Sequence, residues 1–290
     1  MIDLNIPFYG EEKYLFELLK TAKNQTIIKK VNISCDTSIV NVDELIKYQN
    51  VNIECNIPPF GMVKNWNKCL STGSEPYVSV FHYDDYILPQ YSEIIKSYIS
   101  RYPKVGLIVL GFTVNYSNPI LNFKSKIKKT LQELRINGKH GISLIPSGDS
   151  SIRFLRNINV ICSGMIINRS IISDIGKFDE NLSFSSDEEY WWRIAKSYDI
   201  LYINAPLVCY RYHRNNYQFT TWENPMFWTN FVQTRQLRFT HLSIPTQLDK
   251  DLENSSLQNL ATSISNFFKD RNEVDLADKY LVYSQIIYFK

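Results

Sequence analysis

The first half of the chain alternates short apolar runs with segments whose apolar residues recur at helical spacing. Ile2 to Pro7 reads as a strand, and Glu12 to Thr21 as a helix carrying Tyr14, Leu15, Leu18 and Leu19. Val31 to Cys35 and Val51 to Cys55 read as strands, with a short helix from Val42 to Tyr48 between them. Val63 to Leu70 is a helix, Tyr77 to Phe81 a strand, and Tyr91 to Tyr98 a helix. This alternation predicts an α/β fold, a mainly parallel sheet covered by helices. Gly106 to Asn115 is a fifth strand, and Ile158 to Ile167 is apolar again. Ile171 to Ile175 is a brief helix ended by Gly176, and Asp187 to Ser197 a helix capped by Ser185 or Ser186. Ile200 to Ile203 and Leu207 to Arg211 are two further strands. Between the fifth strand and Ile158, Asn118 to Ser151 has little periodicity and is long for a connection, as lids and binding loops are.

Past about Tyr217 the texture changes. Leu257, Leu260, Ala261, Ile264, Phe267 and Phe268 recur at helical spacing, and Leu276, Tyr280, Tyr283 and Ile287 repeat the pattern. The chain is therefore expected to divide into residues 1–216, the α/β domain, and 217–290, a helical region. The helical region is expected to pack on the main domain or on a second copy of the chain, which leaves a homo-oligomer open. Its helices are not basic enough to favour a membrane surface, although peripheral contact stays open.

Composition narrows the function classes. A net charge of +3 and no large Lys/Arg cluster argue against nucleic acid, and Lys126 to Lys129 reads as a solvated patch. The five cysteines form no C-x-x-C pair and read as reduced, buried small hydrophobes of an intracellular chain. No 18-residue apolar run exists, and Asp3 interrupts a start that lacks a basic leader, so a cytoplasmic protein is expected.

The chemistry concentrates at the ends of the strands. Asp84 and Asp85 follow the Tyr77 to Phe81 strand, inside Phe81-His82-Tyr83-Asp84-Asp85, and Asp36 follows Cys35. Ligands of open α/β sheets bind at that edge. Two adjacent carboxylates repel, so a cation is their natural partner, and Mg²⁺ or Mn²⁺ with a phosphate ligand suits aspartate oxygens. A solvated turn capping the next helix is the alternative for this pair.

Four features in order resemble the family 2 glycosyltransferases of the GT-A fold, over about residues 1 to 216. They are Ile6-Pro7-Phe8-Tyr9-Gly10 with Asn24-Gln25-Thr26; Asn65-Trp66-Asn67-Lys68-Cys69-Leu70; His82-Tyr83-Asp84-Asp85 with Pro89; and Ile175-Gly176-Lys177-Phe178-Asp179-Glu180, Asp187, Trp191-Trp192-Arg193 and Tyr210-Arg211-Tyr212-His213. Four places depart from the family pattern. Gly10 stands where the family usually has Asn, His82 replaces the first acid of its metal motif, Ser186 replaces a Glu, and at Cys35-Asp36 the usual double acid is reduced to one.

The resemblance implies a nucleotide-diphospho-sugar transferase fold with a C-terminal helical extension. It implies a metal-dependent, inverting transfer from a sugar nucleotide, a UDP-sugar favoured, to the hydroxyl of a glycan acceptor. Surface polysaccharide, lipopolysaccharide or glycoprotein glycan would be the product, made in the cytoplasm or at the inner face of the membrane. Asp84, Asp85 and His213 are the expected ligands of Mn²⁺ or Mg²⁺, with Asp84 favoured over Asp85. His82 would touch the ribose or the metal. Pro7, Phe8, Tyr9 and Asp36 would line the nucleobase pocket, Asn67 would help hold the nucleotide, and Arg211 would pair with the diphosphate. Asp187 is the expected general base, with Glu188 as its understudy. Trp191 and Trp192 pack the core or stack on a sugar. Two other readings stay open, a non-catalytic nucleotide-sugar binder and a sugar-1-phosphate nucleotidyltransferase. The acidic Gly10-Glu11-Glu12-Lys13 speaks against the second, which wants a basic, glycine-rich phosphate loop.

Overall fold

The computed structural model describes residues 1–37, 45, 47–48, 50–116, 141–182, 184–213, 221–224 and 226–289. The helix expected from Val42 to Tyr48 and most of the long connection after Asn118 lie outside them. The chain divides into two compact units, Met1–Asn181 with Ser186–His213, and Leu182–Ser185 with Arg214–Lys290.

The first unit is built on strands β1 (Ile2–Phe8), β2 (Ile28–Cys35), β3 (Val51–Cys55), β4 (Tyr77–Val80), β5 (Tyr86–Ile87), β6 (Leu107–Tyr116), β7 (Gly141–Ile145), β8 (Met165–Asn168) and β9 (Ile200–Tyr212). They form one sheet in the order β3-β2-β1-β4-β8-β6-β9-β5, with β7 also paired to β9. β1, β2, β3 and β4 are parallel, as are β6 and β9, while β8 runs antiparallel between β4 and β6. Helices α1 (Glu12–Ala22), α2 (Met62–Ser71), α3 (Tyr91–Ile99), α4 (Asp149–Asn157), α5 (Ile172–Ile175) and α6 (Ser186–Ser197) accompany the sheet. The mainly parallel α/β architecture expected from the alternation is therefore the observed one.

β1 is buried along its whole length, and its two faces differ. Ile2, Leu4, Ile6 and Phe8 join the core with Leu15, Leu18 and Leu19 of α1. Asp3 and Asn5, on the other face, are also fully buried and so need partners. Asp3 accepts from Arg169 Nη2 at 2.8 Å and from the Glu75 N–H at 2.8 Å. Asn5, Asn32 and Asn52 sit in register across β1, β2 and β3 and pass a side-chain hydrogen bond along the row at 2.7 and 3.0 Å.

Two expectations about the elements change. Ile200 to Ile203 and Leu207 to Arg211 are one strand, β9, which keeps its pairing with β6 across register shifts beside Gly111. A Cβ on Gly111 would lie 2.7 Å from the Ala205 carbonyl oxygen, so only glycine lets the strands close there. The stretch from Asn118 to Ser151 also holds regular structure. Its Gly141–Ile145 pairs with β9, and α4 begins at Asp149.

The second unit contains helices α7 (Phe227–His241), α8 (Gln247–Lys269) and α9 (Val274–Tyr283). Thr246 and Asp249 form a reciprocal capping box at the start of α8. Leu257, Ala261, Ile264 and Phe268 meet Ala277 and Tyr280 in one core with Trp228. Arg238 and Glu253, each 1% exposed, form an ion pair inside this unit. Ile287 lies beyond the end of α9 and is 61% exposed, so the expected helical pattern stops at Tyr283.

Candidate active site

The C-terminal ends of β1, β2, β4 and β9 share one sheet edge, and Phe8, Asp36, His82, Asp84, Asp85 and His213 lie at those ends. At its centre is the turn after β4. His82, Asp84 and Asp85 each offer one ligand-type atom, and those atoms lie within 4.8 Å of one another. From just past the end of β9, His213 Nε2 reaches Asp84 Oδ2 at 3.0 Å. Residues 129 positions apart in sequence thus meet at one point.

The four groups are held differently. Asp85 is 1% exposed, and both its oxygens are engaged. Ser163 Oγ donates to Oδ2 at 2.6 Å and the Arg211 N–H to Oδ1 at 3.0 Å. Burial, then the charge of Asp84, pushes its carboxyl up to about 8. Burial pulls the His82 imidazole below its ordinary value, against the opposing pull of Asp84. Its Nε2 is buried and has no hydrogen-bond partner among the described residues. An orphaned ring nitrogen beside two carboxylates fits a divalent cation, because neutral imidazole and carboxylate are both ligands for Mn²⁺.

Arg211 braces the same turn. Its Nε donates to the Asp84 carbonyl at 2.7 Å, and its Nη2 pairs with Glu17 Oε2 at 2.7 Å. The guanidinium expected to meet a diphosphate is thus engaged with protein partners. Ser163 also accepts the His82 N–H at 3.0 Å, so its hydroxyl ties both ends of the turn together. Neither Ser163 nor Glu17 is distinguished in the sequence. Ser163 sits inside an apolar run, and Glu17 is one polar residue of an amphipathic helix.

The expected nucleotide pocket divides in two. Pro7 and Phe8 are buried, and Phe8 is a core residue packed edge-on to Tyr83 at 5.2 Å. Tyr9 is 48% exposed and also lies edge-on to Tyr83, at 5.3 Å. Gly10 has a local reason to lack a side chain, since a Cβ there would overlap the Tyr83 hydroxyl. Asp36 accepts from Asn56 Nδ2 at 2.7 Å, from the Phe60 N–H at 3.1 Å and from the Gly61 N–H at 2.8 Å. It shapes the loop that leads into α2. Asn67 is 4% exposed and faces away from solvent. Its amide donates to the Phe178 carbonyl and to Glu180 Oε1, each at 3.0 Å, and accepts the Phe178 N–H at 2.9 Å. It latches α2 to the segment before α6, where a nucleotide contact was expected.

Asp187 and Glu188 lie in the first turn of α6, which begins at Ser186, one residue earlier than expected. The Glu188 N–H donates to Asp187 Oδ1 at 3.0 Å, and an acid in that turn is favoured by the helix dipole. The buried Cys162 thiol is pushed up first by burial, then by the charges of Asp187 and Asp85. It therefore lies within electrostatic reach of both the helix start and the turn after β4. Trp191 and Trp192, each 2% exposed, are buried with the core. Four of the five cysteines are buried as expected, whereas Cys55 is exposed. None of the described helices is long and apolar enough to cross a membrane.

No family model matches the sequence, and no curated protein does. Solved structures do match. S. aureus TarS 1-349 in complex with UDP-GlcNAc is 12% identical with a TM-score of 0.62, covering 97% of this chain and 90% of that one. The same fragment in complex with UDP gives 0.56 at 12% identity, again with 97% and 90% covered. Against S. aureus TarS itself the TM-score is 0.55 at 13% identity, with 97% of this chain and 55% of that one covered. These likenesses show the fold, the GT-A fold implied by the sequence motifs.

Proposed function

We propose that this protein is a metal-dependent, inverting glycosyltransferase. It moves a sugar from a nucleotide-diphospho-sugar, most simply a UDP-sugar, to a hydroxyl of a glycan acceptor. The observation that carries the proposal is the meeting of His213 with Asp84 at 3.0 Å, in a group with His82 and Asp85 at the ligand-binding edge of the sheet. The nucleotides held by the TarS neighbours support a UDP-sugar as the donor.

Asp84, His213 and the orphaned His82 Nε2 would hold the cation, with Asp85 buried behind them. When bound, Mn²⁺ or Mg²⁺ supplies positive charge for the diphosphate leaving group. Tyr9, the exposed member of the first-strand motif, would meet the nucleoside. Asp187 takes the proton from the acceptor hydroxyl as that oxygen attacks the anomeric carbon and the bond to the diphosphate breaks. One displacement inverts the anomeric centre. Glu188, one residue further along the same turn, is the alternative base. Acceptors in surface polysaccharide, lipopolysaccharide or glycoprotein glycan, reached from the cytoplasm or the inner membrane face, fit this chemistry, and the helical unit offers a surface for self-association.

Calorimetry of UDP in the presence and absence of Mn²⁺ tests the proposal. Asp84→Asn is expected to abolish the Mn²⁺-dependent part of binding while the thermal melt is kept. Equal UDP affinity in wild type and variant, with Mn²⁺ present, would refute the metal role. Mn²⁺-dependent hydrolysis of UDP-sugars separates a transferase from a binder, because a binder leaves every donor intact.

A further inference from the structure

Helix α1 gives no ligand atom to the His82, Asp84, Asp85 and His213 group, yet it touches Arg211 of β9 and His213 just past its end, the two residues that reach this turn. Tyr14 and Glu17 lie three residues apart and so share a face of the helix. Glu17 Oε2 accepts from Arg211 Nη2 at 2.7 Å. Arg211 passes the contact on, because its Nε donates to the Asp84 carbonyl at 2.7 Å and its backbone N–H to Asp85 Oδ1 at 3.0 Å. The guanidinium carbon lies 4.5 Å from the Tyr14 ring centre and 5.2 Å from that of Tyr86. The Tyr14 ring also stacks on His213, with centres 5.1 Å apart and planes 27° apart.

These contacts fix orientation. A guanidinium with one nitrogen on a carbonyl, another on a carboxylate and rings against it cannot rotate without losing several partners at once. Stacking on Tyr14 holds the plane of the imidazole, and the contact with Asp84 Oδ2 selects the edge that carries Nε2. Outer groups that orient metal ligands are part of a site's affinity for its ion.

We propose that Tyr14 and Glu17 are positioning residues for the cation site of the transferase, Glu17 acting through Arg211 and Tyr14 through His213. The inference rests on the reading of that site as a metal centre. It makes Arg211 a brace of the Asp84-Asp85 turn, with Nε on the Asp84 carbonyl and Nη2 on Glu17. It also gives α1 a task beyond its core face, which Leu15, Leu18 and Leu19 already serve.

The test is Mn²⁺ titration of the full chain, followed by electron paramagnetic resonance of the free ion. UDP calorimetry without metal and a thermal melt accompany each variant. Glu17→Gln swaps one polar head for another of the same shape on a partly exposed helix face. It is expected to weaken Mn²⁺ binding about 10–100-fold, the usual cost of removing an outer partner of a metal ligand. Tyr14→Leu should fall in the same direction, while Tyr14→Phe, which keeps the ring, should bind as wild type. Metal-free UDP affinity should not move in Glu17→Gln. Wild-type Mn²⁺ affinity in both Glu17→Gln and Tyr14→Leu overturns the proposal. So does a rise in metal-free UDP affinity in Glu17→Gln, because it shows that the released Arg211 takes the phosphates. A wild-type chain that binds no Mn²⁺ overturns the metal centre itself, and this inference with it.

Discussion

Replacing Asn67 by Ala separates a latch from a ligand contact. Asn67 is 4% exposed, and its amide makes three bonds of 2.9 to 3.0 Å, two to the Phe178 backbone and one to Glu180. Alanine removes all three and leaves the Phe178 N–H and carbonyl without them. An unsatisfied buried polar group costs about 1–3 kcal/mol, so the two together should cost roughly 2–6 kcal/mol. At about 2–4 °C per kcal/mol for a unit of this size, the melting temperature should fall by roughly 4–24 °C. Asn67→Asp adds a sign. It keeps the acceptor for the Phe178 N–H but sets a second carboxylate against Glu180, so its deficit should shrink as pH falls and the acids are protonated. Differential scanning calorimetry reads the stability, and UDP titration below the melt reads the ligand. Metal-free UDP affinity within about twofold of wild type is expected, since that is under 0.5 kcal/mol. An unchanged melt combined with lost UDP affinity would refute the reasoning and return Asn67 to the nucleotide.

The remaining predictions concern the base and the buried thiols. Asp187→Asn should lower transfer by roughly 10²–10⁴-fold, the range of a general base, with UDP binding intact; Glu188→Gln should matter much less, and the reverse order in a transfer or donor-hydrolysis assay moves the base by one residue. Native protein at neutral pH should show one fast thiol towards a disulfide reagent, the exposed Cys55, with four more appearing on unfolding. Burial pushes the Cys35 thiol from 9.0 up to about 12, and raises those of Cys69 and Cys162 as well. The folded state therefore holds these protons longer than the unfolded one, so this stability is whole below about pH 9 and is lost as pH rises towards 12. A melting temperature that stays level from pH 8 to pH 11 would contradict that window.

The local pattern alone determined most of the scaffold. Apolar runs and helical spacing located β1, β3, α1, α2 and α3 to within a residue or two, because those elements bury one chain-local stripe or run. Alternation of strand and helix was enough for the parallel sheet, and the spacing of apolar residues from Leu257 onward for α8 and α9. The motifs also marked the acids after β4 and the His213 that joins them. Pairing was not legible in the same way. β7 was missed because five alternating residues carry little signal until β9 pairs with them. Gly111 is an ordinary glycine until the Ala205 carbonyl approaches it.

Roles depended on burial, which no single position reveals. Asp84 and Asp85 are neighbours of the same type, yet Asp85 is sealed by Ser163 and Arg211 while Asp84 meets His213. Asn67 and Phe8 have the residue types of a nucleotide pocket, and folding turns one into a latch and the other into core. Arg211 has the charge for a phosphate, and Glu17, 194 residues away in sequence, pairs with it. Sequence determines which chemical groups are present and which local stripe each element must bury. Only the tertiary structure decides which polar groups satisfy one another and which are left for a ligand, because that follows from which distant segments share one edge of the sheet.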